Sequence, residues 1–443
     1  MKIIYCLNQF LPQRKAGTEI YVWALAKEMQ RSGHEVRILI PLFGESGSRE
    51  YEYDGLKVIQ YGEPSVVNRE FLLAQRPPEG LASFLQFVKQ FAPDAVHFHE
   101  FNASNGITIY HSEAVRSLQI HTFMTMHLPG YTCRTDRLMY MGKELCNGLI
   151  NPLRCAKCWL NDHLNNPILA SGIYAASIPL FGLNINTSRL NNRLGTSLAF
   201  PFFIDELKRR LDKIAASVDR IIVLTHWYKE ILKLNGIPDN KISFVGQGLP
   251  YNASSGDDRR PPEGDIVRLI FIGRIDPFKG VHLLLEAMAG LAPERITLDI
   301  YGQVVDEDYY RKCRELSKEL PSVSWKGVIE QDKVIPTLAS YHALCLPSTF
   351  SEMSPIVIQE AFAAGIPVIG SNVYGIAEPV KDGVNGLLFK FNDSLDLRKV
   401  LAKVINDPAL LKGLAANVTP PDSFSEVAKA MLEIYESVLC QNQ

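Results

Sequence analysis

What most constrains this chain is an alternation. Short apolar, β-branched runs are followed by segments with helical spacing, and both halves of the chain do this. In the first half the runs at 2–7, 35–41, 95–98, 123–127 and 220–224 predict strands. The segment 19–32 places apolar residues at helical intervals and meets a stop signal at Gly33. In the second half, strands are predicted at 267–272, 296–301, 323–325, 343–347 and 367–370. Strand–helix–strand alternation selects a parallel sheet with helices on both faces.

Between the halves, 246–265 concentrates glycine, proline, serine and mixed charge, which reads as a linker. The expected organisation is a first domain over 1–246, completed by a C-terminal helix over 421–443, and a second domain over 247–420. An insertion at about 133–210 is too long for an ordinary loop. The chain has 443 residues, enough for two or three domains. Its net charge of −2 argues against nucleic-acid binding through overall basicity. The N-terminus reads as a first strand rather than a secretory signal, so a reducing cytoplasm is expected. The charge-free stretch 164–188 is broken by Pro167, Gly172, Pro179 and Gly182. It reads as a buried or interfacial insertion, with peripheral contact at a membrane's inner face as the alternative to core.

The chemistry-bearing signals lie in the second half. The strand at 267–272 ends in Gly273-Arg274, followed by Ile275-Asp276-Pro277-Phe278-Lys279-Gly280. Glycine admits close backbone approach, Arg274 can clamp a phosphate with two hydrogen bonds, and Lys279 adds a point charge. Two cations at a strand's C-terminal edge suit a diphosphate and can stabilise a leaving nucleotide with no catalytic metal. A second element follows the strand at 343–347: Ser348-Thr349-Phe350-Ser351-Glu352-Met353-Ser354-Pro355-Ile356. Ser354 is expected as N-cap and Pro355 as first helical residue, presenting N–H groups to phosphate. Glu360 then lies about five residues inside the helix, roughly 7.5 Å along its axis. Glu352 and Glu360 can accept hydrogen bonds from two separated sets of hydroxyls.

These segments, with Gly375-Ile376-Ala377-Glu378 and the turn 381–386, resemble the retaining family-4 glycosyltransferases of the GT-B fold. The opening PQRKAGTEIYVWALAKEMQRSGHEV is similar too. The resemblance implies an α/β GT-B fold: two Rossmann-like, doubly wound domains facing across a cleft. It implies transfer of a sugar from a nucleotide-diphosphate donor to a glycan, lipid-linked or small-molecule acceptor. Arg274 and Lys279 would bind the diphosphate, Glu352 the transferred sugar, and the Ser354–Ile356 backbone the sugar and phosphate. Glu360 would hold the ribose, and backbone near Gly327 and Val328 the base. His127 would face the reaction centre. Gly273 and Gly17 would let loops approach the substrates. The family pattern differs at Ala16, where glycine is frequent, and at Leu128, where an acid is frequent. A sugar-nucleotide hydrolase or epimerase, or a non-catalytic nucleotide-sugar binder, is the competing expectation on the same fold.

Cys133, Cys146, Cys155 and Cys158 cluster in the insertion, the last two as C-x-x-C. Four thiolates would suit a structural zinc; an iron–sulfur cluster and reduced structural thiols are the other readings. His97 and His99 alternate on one strand and share a face.

Overall fold

The computed structural model describes residues 1–64, 76–102, 105–164, 166–190, 192–251 and 264–440. Much of the expected linker at 246–265 lies outside the described residues. The chain divides into two compact units. The first comprises Met1–Asp136, Asn147–Pro250 and Ser423–Gln443; the second comprises Arg137–Cys146 and Tyr251–Asp422.

The first unit contains β1 (Lys2–Cys6), β2 (Glu35–Phe43), β3 (Arg49–Tyr53), β4 (Leu56–Glu63), β5 (Ala95–Phe98) and β6 (His121–Met126). A short hairpin follows, β7 (Met139–Tyr140) with β8 (Glu144–Leu145), and belongs to the second unit. The first sheet is completed by β9 (Arg220–Val223) and β10 (Ile242–Phe244). Its order is β10-β9-β6-β5-β1-β2-β4-β3, parallel except for β3, which runs against β4. The central strands β1 and β5 are apolar and almost fully buried, as parallel strands covered on both faces must be. The C-terminal helix Phe424–Cys440 packs Phe424, Met431 and Tyr435 into the same core as Tyr5, Val22, Leu25 and Phe123.

The second unit contains β11 (Val267–Ile272), β12 (Ile296–Tyr301), β13 (Val323–Gly327), β14 (Ala343–Leu346), β15 (Val368–Ser371) and β16 (Gly386–Phe389). Its order is β13-β12-β11-β14-β15-β16, all parallel. This is a doubly wound sheet whose strand order reverses between β11 and β14. In the first sheet the corresponding reversal lies between β1 and β5. Ligands in such sheets bind beyond the carboxyl ends of the strands at these switch points.

Two expectations change in detail. The helix at 356 begins at Ile356, with Pro355 as an extended N-cap (φ −70°, ψ 118°) and no side-chain cap, so Ser354 does not fill that role. The charge-free insertion forms a helix, Pro167–Gly182, in which only Ala170, Ile173 and Ser177 are buried. No helix among the described residues is long and apolar enough to cross a membrane.

Candidate active site

At the switch point of the second sheet, the loops after β11 and β14 meet. Asp276 starts a tight turn over Pro277–Lys279, its Oδ1 accepting from the Phe278 and Lys279 backbone N–H groups (2.9 and 3.1 Å). Its other oxygen pairs with Arg274 Nε at 3.2 Å, while the rest of the Arg274 side chain stays exposed. Gly280 then takes a left-handed φ of +69° and opens the helix Val281–Met288. The turn is locked to the neighbouring loop by Thr349, whose hydroxyl donates to the Pro277 carbonyl at 3.0 Å.

The consequence is that half-buried Lys279 and buried Glu352, far apart in sequence, form an ion pair. Lys279 Nζ lies 2.8 and 2.7 Å from the two Glu352 oxygens. Ser348 donates a further hydrogen bond to the same carboxylate. A buried ion pair survives only when hydrogen bonds satisfy its remaining lone pairs, and Ser348 contributes to that. Gly375 lies against this loop so closely that a Cβ would stand 1.9 Å from the Glu352 carbonyl oxygen. The strand-bearing segment of the insertion braces the loop too. Ser351 N–H donates to the Arg137 carbonyl at 3.0 Å, and the Arg137 guanidinium lies 5.2 Å over the Phe278 ring.

Glu360, on the fifth residue of the helix Ile356–Ala363, is 5% exposed. Gln331 Nε2 donates to it at 2.6 Å, and the Tyr251 hydroxyl donates to the same oxygen. Burial holds its carboxyl above the usual carboxylate range, and these two donors offset part of that rise. Backbone at Gly327 is left-handed (φ +75°), and the next residue, Val328, is 73% exposed. Gly273 sits at the end of β11, and an added Cβ there would lie 3.2 Å from the Phe271 ring. The structure thus brings Arg274, Lys279, Glu352 and Glu360 into one unit around one sheet edge.

In the first unit, Gly17 begins the helix Gly17–Arg31, with Ala16 as its extended N-cap. His127 stands just past the end of β6, buried, with Nε2 3.0 Å from His99 Nδ1 and its ring edge-on to Tyr21 at 5.0 Å. Burial pulls its pKa down to about 3, so it is a neutral imidazole near neutrality. His99 is likewise driven well below the ordinary range, by burial first and then by His97 and His127. Which ring nitrogen carries the shared proton is a matter of tautomer. His127 and His99 line a cavity of about 440 Å³ at the carboxyl ends of β1, β5 and β6.

The cysteines are divided between the units: Cys133, Cys155 and Cys158 in the first, Cys146 in the second. Cys155 and Cys158 share a face of the helix Pro152–His163. The Cys155 thiol contacts the Leu149 carbonyl at 3.8 Å, and Cys133 contacts the Thr135 hydroxyl at 3.3 Å. Among the described residues, no group of three or more His, Cys, Asp or Glu side chains is gathered to hold a metal.

Sequence reasoning did not single out Asp276, Ser348, Tyr251 or Gln331. The Asp276-Pro277 pair carried a cap signal. Tyr251 and Gln331 act through tertiary contacts and left no local signature, whereas Ser348 bonds to Glu352 four residues on, within the motif.

Profiles of two families match this chain: glycosyl transferases group 1 over residues 258–419, and a glycosyl transferase 4-like domain over residues 16–161. The chain belongs to the family-4 glycosyltransferases of the GT-B fold. Among relatives of this glycosyltransferase-family chain, glycogen synthase of Mycobacterium tuberculosis is 27% identical over 212 residues, covering 46% of this chain and 51% of that one. A D-inositol 3-phosphate glycosyltransferase of Nocardioides is 26% identical over 233 residues, covering 47% and 51%. The chain therefore spans about half the length of the curated relatives it matches. Similar solved structures include Anabaena HepE in complex with UDP and glucose, at 14% identity and a TM-score of 0.63, covering 99% of this chain and 100% of that one. Sucrose-phosphate synthase from Thermosynechococcus elongatus aligns at 17% identity and a TM-score of 0.65, covering 99% of each chain.

Proposed function

We propose that this chain is a configuration-retaining, metal-independent glycosyltransferase. It would move a sugar from a nucleotide-diphosphate donor to a glycan, lipid-linked or small-molecule acceptor. The observation that carries this reading is the partly buried Lys279–Glu352 pair beside Arg274 at the switch point of the second sheet. The complex of the Anabaena relative with UDP and glucose supports a nucleotide-sugar donor.

The donor diphosphate would lie against Arg274 and Lys279. As the bond to the sugar breaks, negative charge gathers on the diphosphate, and two cations already in place stabilise it without reorganising. Glu352, held by Lys279 and Ser348, would accept from the sugar hydroxyls and lie near the positive charge developing at the anomeric carbon. Glu360, fixed by Gln331 and Tyr251, would hold the ribose hydroxyls. Exposed backbone beyond Gly327 would meet the base. Neutral His127 would exchange a hydrogen bond with the donor sugar. Departure and attack on one face of an oxocarbenium-like ion pair would retain configuration.

A thermal-shift screen of UDP-, GDP- and ADP-sugars, with and without Mg²⁺, tests this. One donor should raise the melting temperature independently of Mg²⁺. Glu360→Ala should weaken its binding roughly tenfold or more, since a charge-assisted hydrogen bond is lost. Lys279→Ala should remove most turnover. Unchanged binding and rates in both variants would reject the assignment. Donor consumption without transfer to any acceptor would favour a hydrolase.

The cysteine cluster enters the proposal as a structural zinc site, supported by the C-x-x-C pair on one helix face. Metal analysis of the purified chain, with melting before and after chelation, tests it. Absence of bound metal with unchanged stability would reject zinc.

A further inference from the structure

Just past the ends of β5 and β6, His99 and His127 share one hydrogen bond, between Nδ1 of the first and Nε2 of the second at 3.0 Å. Both rings are buried, and burial keeps both neutral near neutrality, with His127 at about 3 and His99 well below the ordinary range. A neutral imidazole carries one N–H and one lone pair. The shared bond therefore holds one proton. Which ring donates it decides what each ring presents at its other nitrogen.

Those outer nitrogens meet different surroundings. His99 Nε2 is sealed from solvent and has no hydrogen-bond partner among the described residues. The Tyr21 ring lies 6.1 Å from that of His99, but its hydroxyl is buried and unpartnered too, so no hydrogen bond joins the two. His97 stacks on His99 at 4.3 Å, yet its own nitrogens are taken by the hydroxyls of Tyr435 (2.5 Å) and Thr125 (2.8 Å). His127 Nδ1 bonds nothing among the described residues either, but it is not sealed, and its ring lines the cavity of about 440 Å³ in the first unit.

Suppose His127 donated. His99 Nδ1 would accept, and its sealed Nε2 would carry an N–H with nothing to receive it. With His99 as the donor, Nε2 keeps only a lone pair. Folded proteins tolerate an unused buried acceptor more readily than an orphaned buried N–H. The stacked His97 ring, and the Tyr5 ring at 5.5 Å, hold His99 in the orientation that this bond needs.

We propose that His99 is a positioning residue that fixes His127 as its Nδ1–H tautomer, so that His127 meets a ligand in the cavity as a neutral hydrogen-bond donor. The lone pair of His127 is occupied by His99, so it takes no proton from an incoming hydroxyl. What it recognises is an oxygen with a lone pair to give, such as that of a sugar hydroxyl. The proposal rests on the transferase reading for the word sugar, and on the histidine pair alone for the tautomer.

Nitrogen-15 NMR of the full chain, labelled at histidine and held at pH 7.5, tests it, with His127→Gln and His99→Asn locating the two sets of signals. The shared proton should show its one-bond coupling to His99 Nδ1, with His127 protonated at Nδ1 and bare at Nε2. A proton on His127 Nε2, or a His127 ring divided evenly between tautomers, would overturn the proposal. Calorimetry with UDP-glucose and UDP reads the consequence for binding. The sugar's share of affinity, UDP-glucose over UDP, should fall about fivefold in His99→Leu, as for one neutral hydrogen bond. It should return in His99→Asn, whose amide N–H can donate in place of Nδ1, with UDP affinity unchanged throughout. A share unaltered in His99→Leu, or lost equally in both variants, would reduce His99 to packing and overturn its positioning role. Binding of neither UDP nor UDP-glucose would fell the transferase reading, while the NMR result would still decide the tautomer. Should His99→Leu lose cooperative melting, the wild-type spectrum decides the matter, because it needs no variant at that position to fold.

Discussion

At Gly280 the chain turns with φ +69°, and a Cβ would stand 1.8 Å from the Pro347 carbonyl oxygen. That approach is what lets the turn carrying Lys279 touch the loop carrying Glu352. Gly280→Ala must strain the backbone and push the two loops apart, so a loss of roughly 2–3 kcal/mol in urea unfolding is expected. Donor affinity should fall with it. Gly383 has a similar φ of +72° but nothing within 4 Å of an added Cβ. Gly383→Ala should therefore show only the conformational cost, about 1 kcal/mol. Equal losses at the two positions would remove the argument for close approach. The motif around Arg274 and Lys279 was legible in the sequence because it follows a strand and opens a helix. Gln331 and Tyr251 were not, because each reaches Glu360 from a distant part of the chain.

Two elements of the insertion show what helical and strand signals can and cannot say. The helix Pro167–Gly182 has no charged side chain and exposes Ile168 (83%) and Leu169 (52%) at its start; Leu183 (71%) follows its end. Apolar residues all round a helix gave no face to assign, so burial could not be read in advance. Arg189 and Arg193 follow within about one helix length, a combination suited to an anionic lipid surface. Co-sedimentation with phosphatidylglycerol vesicles should capture the chain, and Ile168→Ser with Leu169→Ser should reduce the bound fraction severalfold. Equal sedimentation of wild type and variant would remove this helix as the contact. The hairpin of β7 and β8 is the second case. Its four strand residues are too few for a periodic signal, yet the adjoining Arg137 carbonyl holds Ser351, next to Glu352.

Acid sensitivity is a property of the first unit as a whole. Burial lowers the pKa of His97, His99, His111 and His127, with His111 and His127 reaching about 3. A depressed folded-state pKa gives stability that is present above the unfolded value, near 6.5, and is lost as pH falls toward about 3. At pH 5 a single such imidazole costs about 2 kcal/mol. Glu63 acts in the opposite sense: burial raises it to about 7, so its contribution is full below about 4.5 and is lost as pH rises through 7. Urea unfolding of the wild type should therefore show a lower midpoint at pH 5 than at pH 7.5. Glu63→Gln should be more stable than the wild type at pH 7.5 and lose more between the two. Midpoints that do not move with pH would contradict neutral buried imidazoles. The sequence by itself determined the doubly wound architecture and the placement of Arg274, Lys279, Glu352 and Glu360, because hydrophobic period and turn chemistry are local. Only the tertiary structure decided that Lys279 pairs with Glu352 and that His127 is backed by His99. Those contacts join residues separated by tens of positions, and no local pattern encodes which side chains a parallel sheet will bring to one edge.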